Sequence, residues 1–278
     1  MHHKLLSRNR WLLLRRTCQF SILALFLAGP WLGVWWLKGN LASSVFLGSV
    51  ALTDPYMVIQ SIAAGHRVST VAITGALLVA GMYFLLGGRV YCSWVCPVNV
   101  ITDLADWLRR KLRITGVWQP PSGTRHWILL MTLAVSWLSG SIAWELVNPI
   151  TILQRGLVFG LGAGWVVILA VFLFDLTLSR RGWCGHICPV GAFYGLMGKA
   201  SLIRIKGVRR QACTDCGDCY RVCPEPHVIT PVLNGRDGPA SSLVLSGDCT
   251  NCGRCIDVCQ EDVFAFSNRF AGGSGSKV

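Results

Sequence analysis

Twelve cysteines fall into arrays whose spacing suits one kind of chemistry. Residues 213–224 read Cys213-Thr-Asp-Cys216-Gly-Asp-Cys219-Tyr-Arg-Val-Cys223-Pro224, a C-x2-C-x2-C-x3-C-P run. Cys249, Cys252, Cys255 and Cys259 repeat the spacing, with Gln260 in place of the proline. Three thiolates at this spacing grip one [4Fe–4S] cubane, and the fourth of each run ligates the other cluster. The expected ligand sets are therefore Cys213, Cys216, Cys219 with Cys259, and Cys249, Cys252, Cys255 with Cys223. Zinc sites pair cysteines across a longer gap, and disulfides suit small secreted chains in an oxidising compartment. The chemistry that remains is one-electron transfer by two clusters, as in bacterial ferredoxins.

Upstream, Cys92-Ser-Trp-Val-Cys96-Pro97 and Cys184-Gly-His-Ile-Cys188-Pro189 form a matched C-x3-C-P pair. Cysteines four apart on a helix share a face. Proline cannot continue a helix but opens the next one well. Each motif thus reads as a corner between two helices. Brought together, Cys92, Cys96, Cys184 and Cys188 make a ligand set for one further iron or iron–sulfur centre. Paired structural thiols, or a redox-active dithiol couple, are the other readings. His186 stands where it would tune or ligate such a centre.

The elements that carry these motifs are apolar. The chain has 278 residues, 53% of them hydrophobic and 14% charged, with a mean hydropathy of +0.50; a soluble domain is nearer a quarter charged. Four uncharged stretches, Thr17–Leu37, Val68–Gly88, Trp127–Trp144 and Gly156–Phe174, approach the length of about 20 residues that crosses a bilayer. Trp31, Trp35, Trp36, Trp127 and Trp144 stand at their ends as interfacial anchors. The first stretch is too long for a signal peptide and lacks a cleavage site. The formal charge of +13 is topological rather than a nucleic-acid footprint. Residues 1–16 hold five Lys/Arg, 89–125 six and 180–210 seven, against Lys38, Arg67 and Arg155 in the intervening loops. The positive-inside rule places both termini and the twelve motif cysteines in the cytoplasm.

The apolar part is duplicated. Leu52-Thr-Asp54-Pro55 through Gln60 matches Leu146-Val-Asn148-Pro149 through Gln154, and the C-x3-C-P motifs recur at nearly the same offset. Two halves that both enter from the cytoplasm are related by an axis along the membrane normal. After the first corner, Asn99–Arg113 reads as an interfacial amphipathic helix. Its apolar stripe is Ile101, Leu104, Leu108 and Leu112, with Arg109, Arg110, Lys111 and Arg113 on the polar side. Gly160, Gly162 and Gly164 suggest close helix packing. Asp175, an acid at the end of the fourth stretch, is either functional or a structural partner of Arg180 or Arg181. Asp54, His66 and Glu145 lie in external loops. Each is either a proton acceptor beside a quinol slot or a cap or turn residue.

The expected architecture is an all-α membrane domain of four transmembrane helices in two repeated halves (residues 1–205). A C-terminal α+β ferredoxin-like two-cluster domain (206–267) and a flexible tail (268–278) follow, with a loop insertion at 231–240.

The chain resembles the NapH family, the membrane-bound quinol dehydrogenase ferredoxin subunits of periplasmic nitrate reductase systems. The likeness is carried by Leu12-Leu-Leu-Arg-Arg-x-Cys-Gln-Phe20, Gly29-Pro-Trp31, Leu52-Thr-Asp-Pro55 and both C-x3-C-P motifs. It extends through Cys223-Pro-Glu-Pro-His227 and the Cys249–Cys259 run with Glu261-Asp-Val-Phe264. The resemblance implies a bacterial inner-membrane protein that oxidises menaquinol or ubiquinol. Its electrons would pass toward periplasmic nitrate reductase through a separate iron–sulfur partner subunit and a cytochrome. A related class, membrane polyferredoxins serving metal-centre maturation or reduction, shares the same motifs.

Overall fold

The computed structural model of the protein describes residues 9–115, 118, 120–121, 123–160, 162–234 and 242–272. Helix α1 (Arg10–Leu32) leads into strands β1 (Leu37–Gly39), β2 (Ser43–Phe46) and β3 (Val50–Thr53). Helices α2 (Pro55–Ala63), α3 (Thr70–Leu86), α4 (Val98–Lys111), α5 (Thr124–Ser139), α6 (Pro149–Phe159), α7 (Gly164–Leu173) and α8 (Pro189–Gly198) follow. Strand β4 (Ile203–Gly207), helices α9 (Asp218–Val222), α10 (Thr230–Asn234) and α11 (Arg254–Val258), and strand β5 (Phe264–Asn268) complete the order. The chain divides into two compact units. Of the described residues, one holds those up to Cys18, Tyr83–Val95 and those from Tyr194 onward; the other holds those of Gln19–Met82 and Cys96–Phe193.

Among the described residues one helix is long and apolar enough to cross a membrane, the 23-residue α1, against the four spans expected from the sequence. It ends at Leu32, because Leu37 already opens β1. The second stretch yields α3, shorter at 17 residues. The third, Trp127–Trp144, becomes α5 and stops at Gly140, whose left-handed backbone (φ +65°) caps it on the Ser136 carbonyl. The fourth is broken in two. Gly160 at φ +90° and Gly162 at φ +46° take conformations that suit glycine and end α6. Of the three glycines, Gly164 alone is set by close packing, since a Cβ there would stand 2.7 Å from the Ile152 side chain.

In the second unit, β1, β2 and β3 form an antiparallel meander that pairs Leu37 with Phe46 and Ser43 with Thr53. It delivers Asp54 to the start of α2. The two Asx-Pro sites are helix starts: Asp54 Oδ1 accepts from Tyr56 N at 3.0 Å and Asn148 Oδ1 from Ile150 N at 3.1 Å, with Pro55 and Pro149 in the first turn. Gln60 and Gln154, both buried, then cross-brace the halves. Gln60 Oε1 accepts from Ser136 Oγ at 3.3 Å and Trp144 N at 3.2 Å, in the chain leading to Asn148. Gln154 Oε1 accepts from Leu41 N at 2.7 Å, in the chain leading to Asp54. The repeat read in the sequence is thus a reciprocal hydrogen-bonded pair.

Helix α4 is inverted relative to an ordinary surface helix. Leu104, Trp107 and Leu112 are exposed, while Asn99, Thr102, Asp106 and Arg109 are buried. Arg109, expected on the solvated side, donates to the carbonyls of Asp175 (3.4 Å) and Leu176 (3.1 Å), at a helix C-terminus where positive charge is favoured. Arg180 and Arg181 pair with α4. Arg180 Nε lies 2.9 Å from Asp106, and Arg181 bridges Asp103 (2.9 Å) and Asp106 (3.2 Å). Arg110 also reaches Asp106.

In the first unit, β4 and β5 pair antiparallel, Ile203 opposite Asn268 and Gly207 opposite Phe264. Ile205, Val228, Ile229, Val232, Val244, Val258, Val263 and Phe264 form the core beneath them. The expected loop at 231–240 begins instead as α10, which buries Val232 and Leu233; the expected tail at 268–278 begins instead with the end of β5 and a 3-10 turn, Arg269–Gly272, and residues 235–241 and 273–278 lie outside the described residues. The N-terminus of α1 is capped by a residue far along the chain: the Asp257 carboxylate accepts from Trp11 N and Leu12 N, each at 3.1 Å.

The Asp106 cluster generates a prediction. Burial works against its charge, but Arg181, Arg180 and Arg110 outweigh that and hold the carboxyl below its usual range. Its contribution is therefore complete above the ordinary carboxylate pKa of about 4. It fades only as pH falls through the lowered value. Asp106→Asn removes the buried carboxylate that Arg180, Arg181 and the half-exposed Arg110 share, and should cost about 3 kcal/mol at neutral pH. Thermal melts of the detergent-solubilised protein check this: a drop that persists at pH 5 is expected, and an unchanged midpoint contradicts it.

Candidate iron–sulfur sites

Both cysteine runs fold the same way because both place left-handed residues at the same steps. Asp215 and Asn251 (φ +55° and +47°) precede the second cysteine, and Gly217 and Gly253 (φ +76° and +71°) follow it. Each run then closes into a short helix, α9 or α11, that carries the third cysteine, and these two helices pack together. The fourth cysteines, Cys223 and Cys259, leave in extended backbone conformation.

The result is two thiol-lined cavities. The larger, about 150 Å³, is lined by Cys213, Cys216, Cys219 and Cys259. The smaller, about 20 Å³, is lined by Cys223, Cys249, Cys252 and Cys255. Each cavity thus gathers three cysteines of one run and the last of the other. Among the described residues no three His, Cys, Asp or Glu side chains converge tightly enough to hold a single metal ion. Four thiols spread around a cavity instead suit a cubane, whose ligands bind separate irons. Burial pushes the Cys219 thiol up to about 11. Burial does the same to Cys249, also to about 11, against a hydrogen bond from the Asn251 N–H. Cys255 is raised further, first by burial and then by its neighbouring thiols. These thiols stay protonated at neutral pH until iron displaces the proton.

The smaller cavity is buttressed by the first C-x3-C-P motif. Cys92 lies on a π-helical turn, Tyr91–Val95. From that turn Ser93 Oγ donates to Thr250 O at 2.7 Å and Trp94 Nε1 to Asn251 O at 3.1 Å. Buried Arg89 donates to the Asp248 carbonyl at 3.0 Å and pairs with Glu225 at 2.7 Å. The Asn251 side chain answers by donating to Leu86 O (3.0 Å) and Ile203 O (2.9 Å). A side chain at Gly87 would stand 2.4 Å from that amide. Trp11 stacks edge-on against Trp94 and Phe266.

In the second unit, Cys184 lies on the matching π-helical turn, Trp183–Ile187, and Pro189 opens α8. The turn is held by Asp175, whose Oδ1 accepts from Trp183 N at 2.9 Å, and by Arg125, which donates to Gly185 O at 3.0 Å. Cys184 Sγ lies 3.9 Å from Thr102 Oγ1. Cys188 and Cys96 are buried, and Gln19 Nε2 donates to the Cys96 carbonyl at 3.1 Å. Cys92 belongs to the first unit and Cys96, Cys184 and Cys188 to the second. Of the three candidate proton acceptors, Asp54 caps α2. Glu145 accepts from Asn148 Nδ2 at 3.2 Å and faces Arg155 at 3.7 Å. His66 is exposed just beyond α2.

Arg89, Ser93, Trp94, Glu225 and Asn251 were not singled out by the sequence reading. Their one signal is position: Ser93, Trp94 and Asn251 lie inside cysteine motifs, and Arg89 and Glu225 within three residues of one.

Comparison with known proteins agrees with this geometry. A 4Fe-4S dicluster domain model matches residues 205–260, and a 4Fe-4S binding domain model matches residues 68–115 and 157–208. No solved structure matches the chain. The methylamine utilization ferredoxin-type protein MauN of Paracoccus denitrificans is 55% identical, over 95% of this chain and 92% of its own length. MauN of Methylorubrum extorquens is 54% identical, over 88% and 84%. The ferredoxin-type protein NapH of Escherichia coli K12 is 50% identical, over 96% and 93%. The chain is thus a member of the family of ferredoxin-type iron–sulfur electron-transfer proteins that comprises NapH and its close relative MauN.

Proposed function

We propose that this protein is a multi-pass inner-membrane subunit that oxidises menaquinol or ubiquinol and passes the electrons on through two [4Fe–4S] clusters. The observation that carries the reading is the crossed set of cysteines around the two cavities. Cys213, Cys216, Cys219 and Cys259 would hold one cluster, and Cys249, Cys252, Cys255 and Cys223 the other. Such clusters would supply one-electron transfer at each cavity. Quinol oxidation releases two electrons and two protons, so a pair of one-electron sites matches the yield. Asp54, His66 and Glu145 are the candidate proton acceptors, and His66 is the one that presents an exposed side chain beyond its helix. The four C-x3-C-P cysteines are the candidate ligands of a further iron or iron–sulfur centre, on the strength of the sequence repeat.

The membrane assignment rests on α1 and on apolar side chains that face no protein partner. Val71, Leu77 and Leu85 on α3, and Trp127, Leu130, Trp137 and Leu138 on α5, are all exposed. Lipid covers such surface at no cost, whereas water does not. The likeness to NapH favours periplasmic nitrate reductase as the destination, through an iron–sulfur partner subunit and a cytochrome. The identity to MauN supports a second destination, methylamine utilization, with the same membrane chemistry.

The test is purified protein in liposomes, mixed anaerobically with a menaquinol or ubiquinol analogue and read by electron paramagnetic resonance. Two cluster signals should appear on reduction, and Cys219→Ser and Cys223→Ser should each disturb a different one. Clusters that dithionite reduces but neither quinol analogue does would overturn quinol oxidation while leaving electron transfer intact. Reporter fusions after residues 45, 115, 150 and 270 should score outside, inside, outside and inside; an outside score at 270 contradicts the topology.

A further inference from the structure

One peptide group is gripped at both ends by residues of the redox motifs. The amide between Thr250 and Asn251 offers its carbonyl to Ser93 Oγ at 2.7 Å; beyond it Cys249 Sγ lies 3.5 Å from Asn251 Oδ1, and the Asn251 N–H is turned toward that sulfur. The two neighbouring contacts fix the same loop, with Trp94 Nε1 on Asn251 O and Arg89 on Asp248 O. Ser93 and Arg89 are each about 1% exposed, so water does not compete for these bonds. The second C-x3-C-P motif cannot do the same, because Gly185 and His186 stand where the first has Ser93 and Trp94.

We propose that the first C-x3-C-P turn tunes the iron–sulfur cluster of the smaller cavity, with Ser93 as the positioning residue that polarises the amide donating to Cys249. The inference rests on the two-cluster reading above. In the chain O–H···O=C–N–H···S each bond strengthens the next. Hydrogen bonds to cluster sulfurs are among the determinants of reduction potential. The reduced cluster carries one more negative charge than the oxidised one, so a polarised N–H stabilises it more and raises the potential. Trp94 and Arg89 hold the loop in register so that this N–H stays aimed at the sulfur. A motif expected to act through its own cysteines thereby acts on a cluster whose ligands lie elsewhere in the chain.

The experiment is a potentiometric titration of the full-length, iron-loaded protein in detergent, with both clusters followed by electron paramagnetic resonance. Ser93→Ala should lower the midpoint of one cluster, the one whose signal Cys252→Ser removes, and leave the other where it was. Ser93→Thr keeps the hydroxyl and should restore the wild-type value. Trp94→Phe should shift the same cluster in the same direction. Identical midpoints in wild type and Ser93→Ala, or an equal shift of both clusters, overturns the proposal. Iron content of the wild type, measured first, separates the two claims: fewer than two clusters there refutes the two-cluster reading before any substitution is made.

Discussion

Four thiols must converge on each cavity, and no single run of this chain supplies all four to one place. The third cysteine of each run sits on a short helix and the fourth leaves in extended backbone, so α9 and α11 must pack together for the fourth cysteines to change sides. That packing sets the position of β4 against β5 and the core of Ile205, Val244, Val263 and Phe264 beneath them. It also places Asp257 of α11 where its carboxylate caps the first turn of α1. The packing of the two cysteine runs thus fixes the start of α1, the longest of the described helices.

The second unit relies on a different constraint, the satisfaction of polar groups away from water. Asp106 answers three guanidinium groups, and Gln60 and Gln154 each close a backbone gap in the opposite half. Unmet groups of this kind cost more than their bonds contribute, so they specify the arrangement. The exposed side of α4 carries Leu104 and Trp107 beside Arg110 and Lys111, over a buried side that holds Asn99, Thr102, Asp106 and Arg109.

The cysteine arrays and the duplicated Asx-Pro helix starts were legible because each depends on residue type at fixed spacing. Helix limits were not, because hydropathy does not see backbone conformation. Gly160 and Gly162 look like packing residues in a string and act as a break once φ turns positive. The strands at 37–53 lay hidden because each is too short to show alternation. Arg109 was misplaced because a charge on an amphipathic helix is ordinarily solvated, and the carbonyls that receive it lie 66 residues away. Ser93 and Trp94 carry no signal of their own in the string, because the partners that give them meaning, Thr250 and Asn251, lie 157 residues away.

The claim on which everything rests is the exchange of fourth cysteines between the two clusters. Cryo-electron microscopy of the iron-loaded protein, at a resolution that shows iron–sulfur bonds, tests it most directly. Density should connect Cys259 to the cluster of Cys213, Cys216 and Cys219, and Cys223 to the cluster of Cys249, Cys252 and Cys255. Bonds from Cys223 and Cys259 to the clusters of their own runs, or a single metal ion in either cavity, would contradict it.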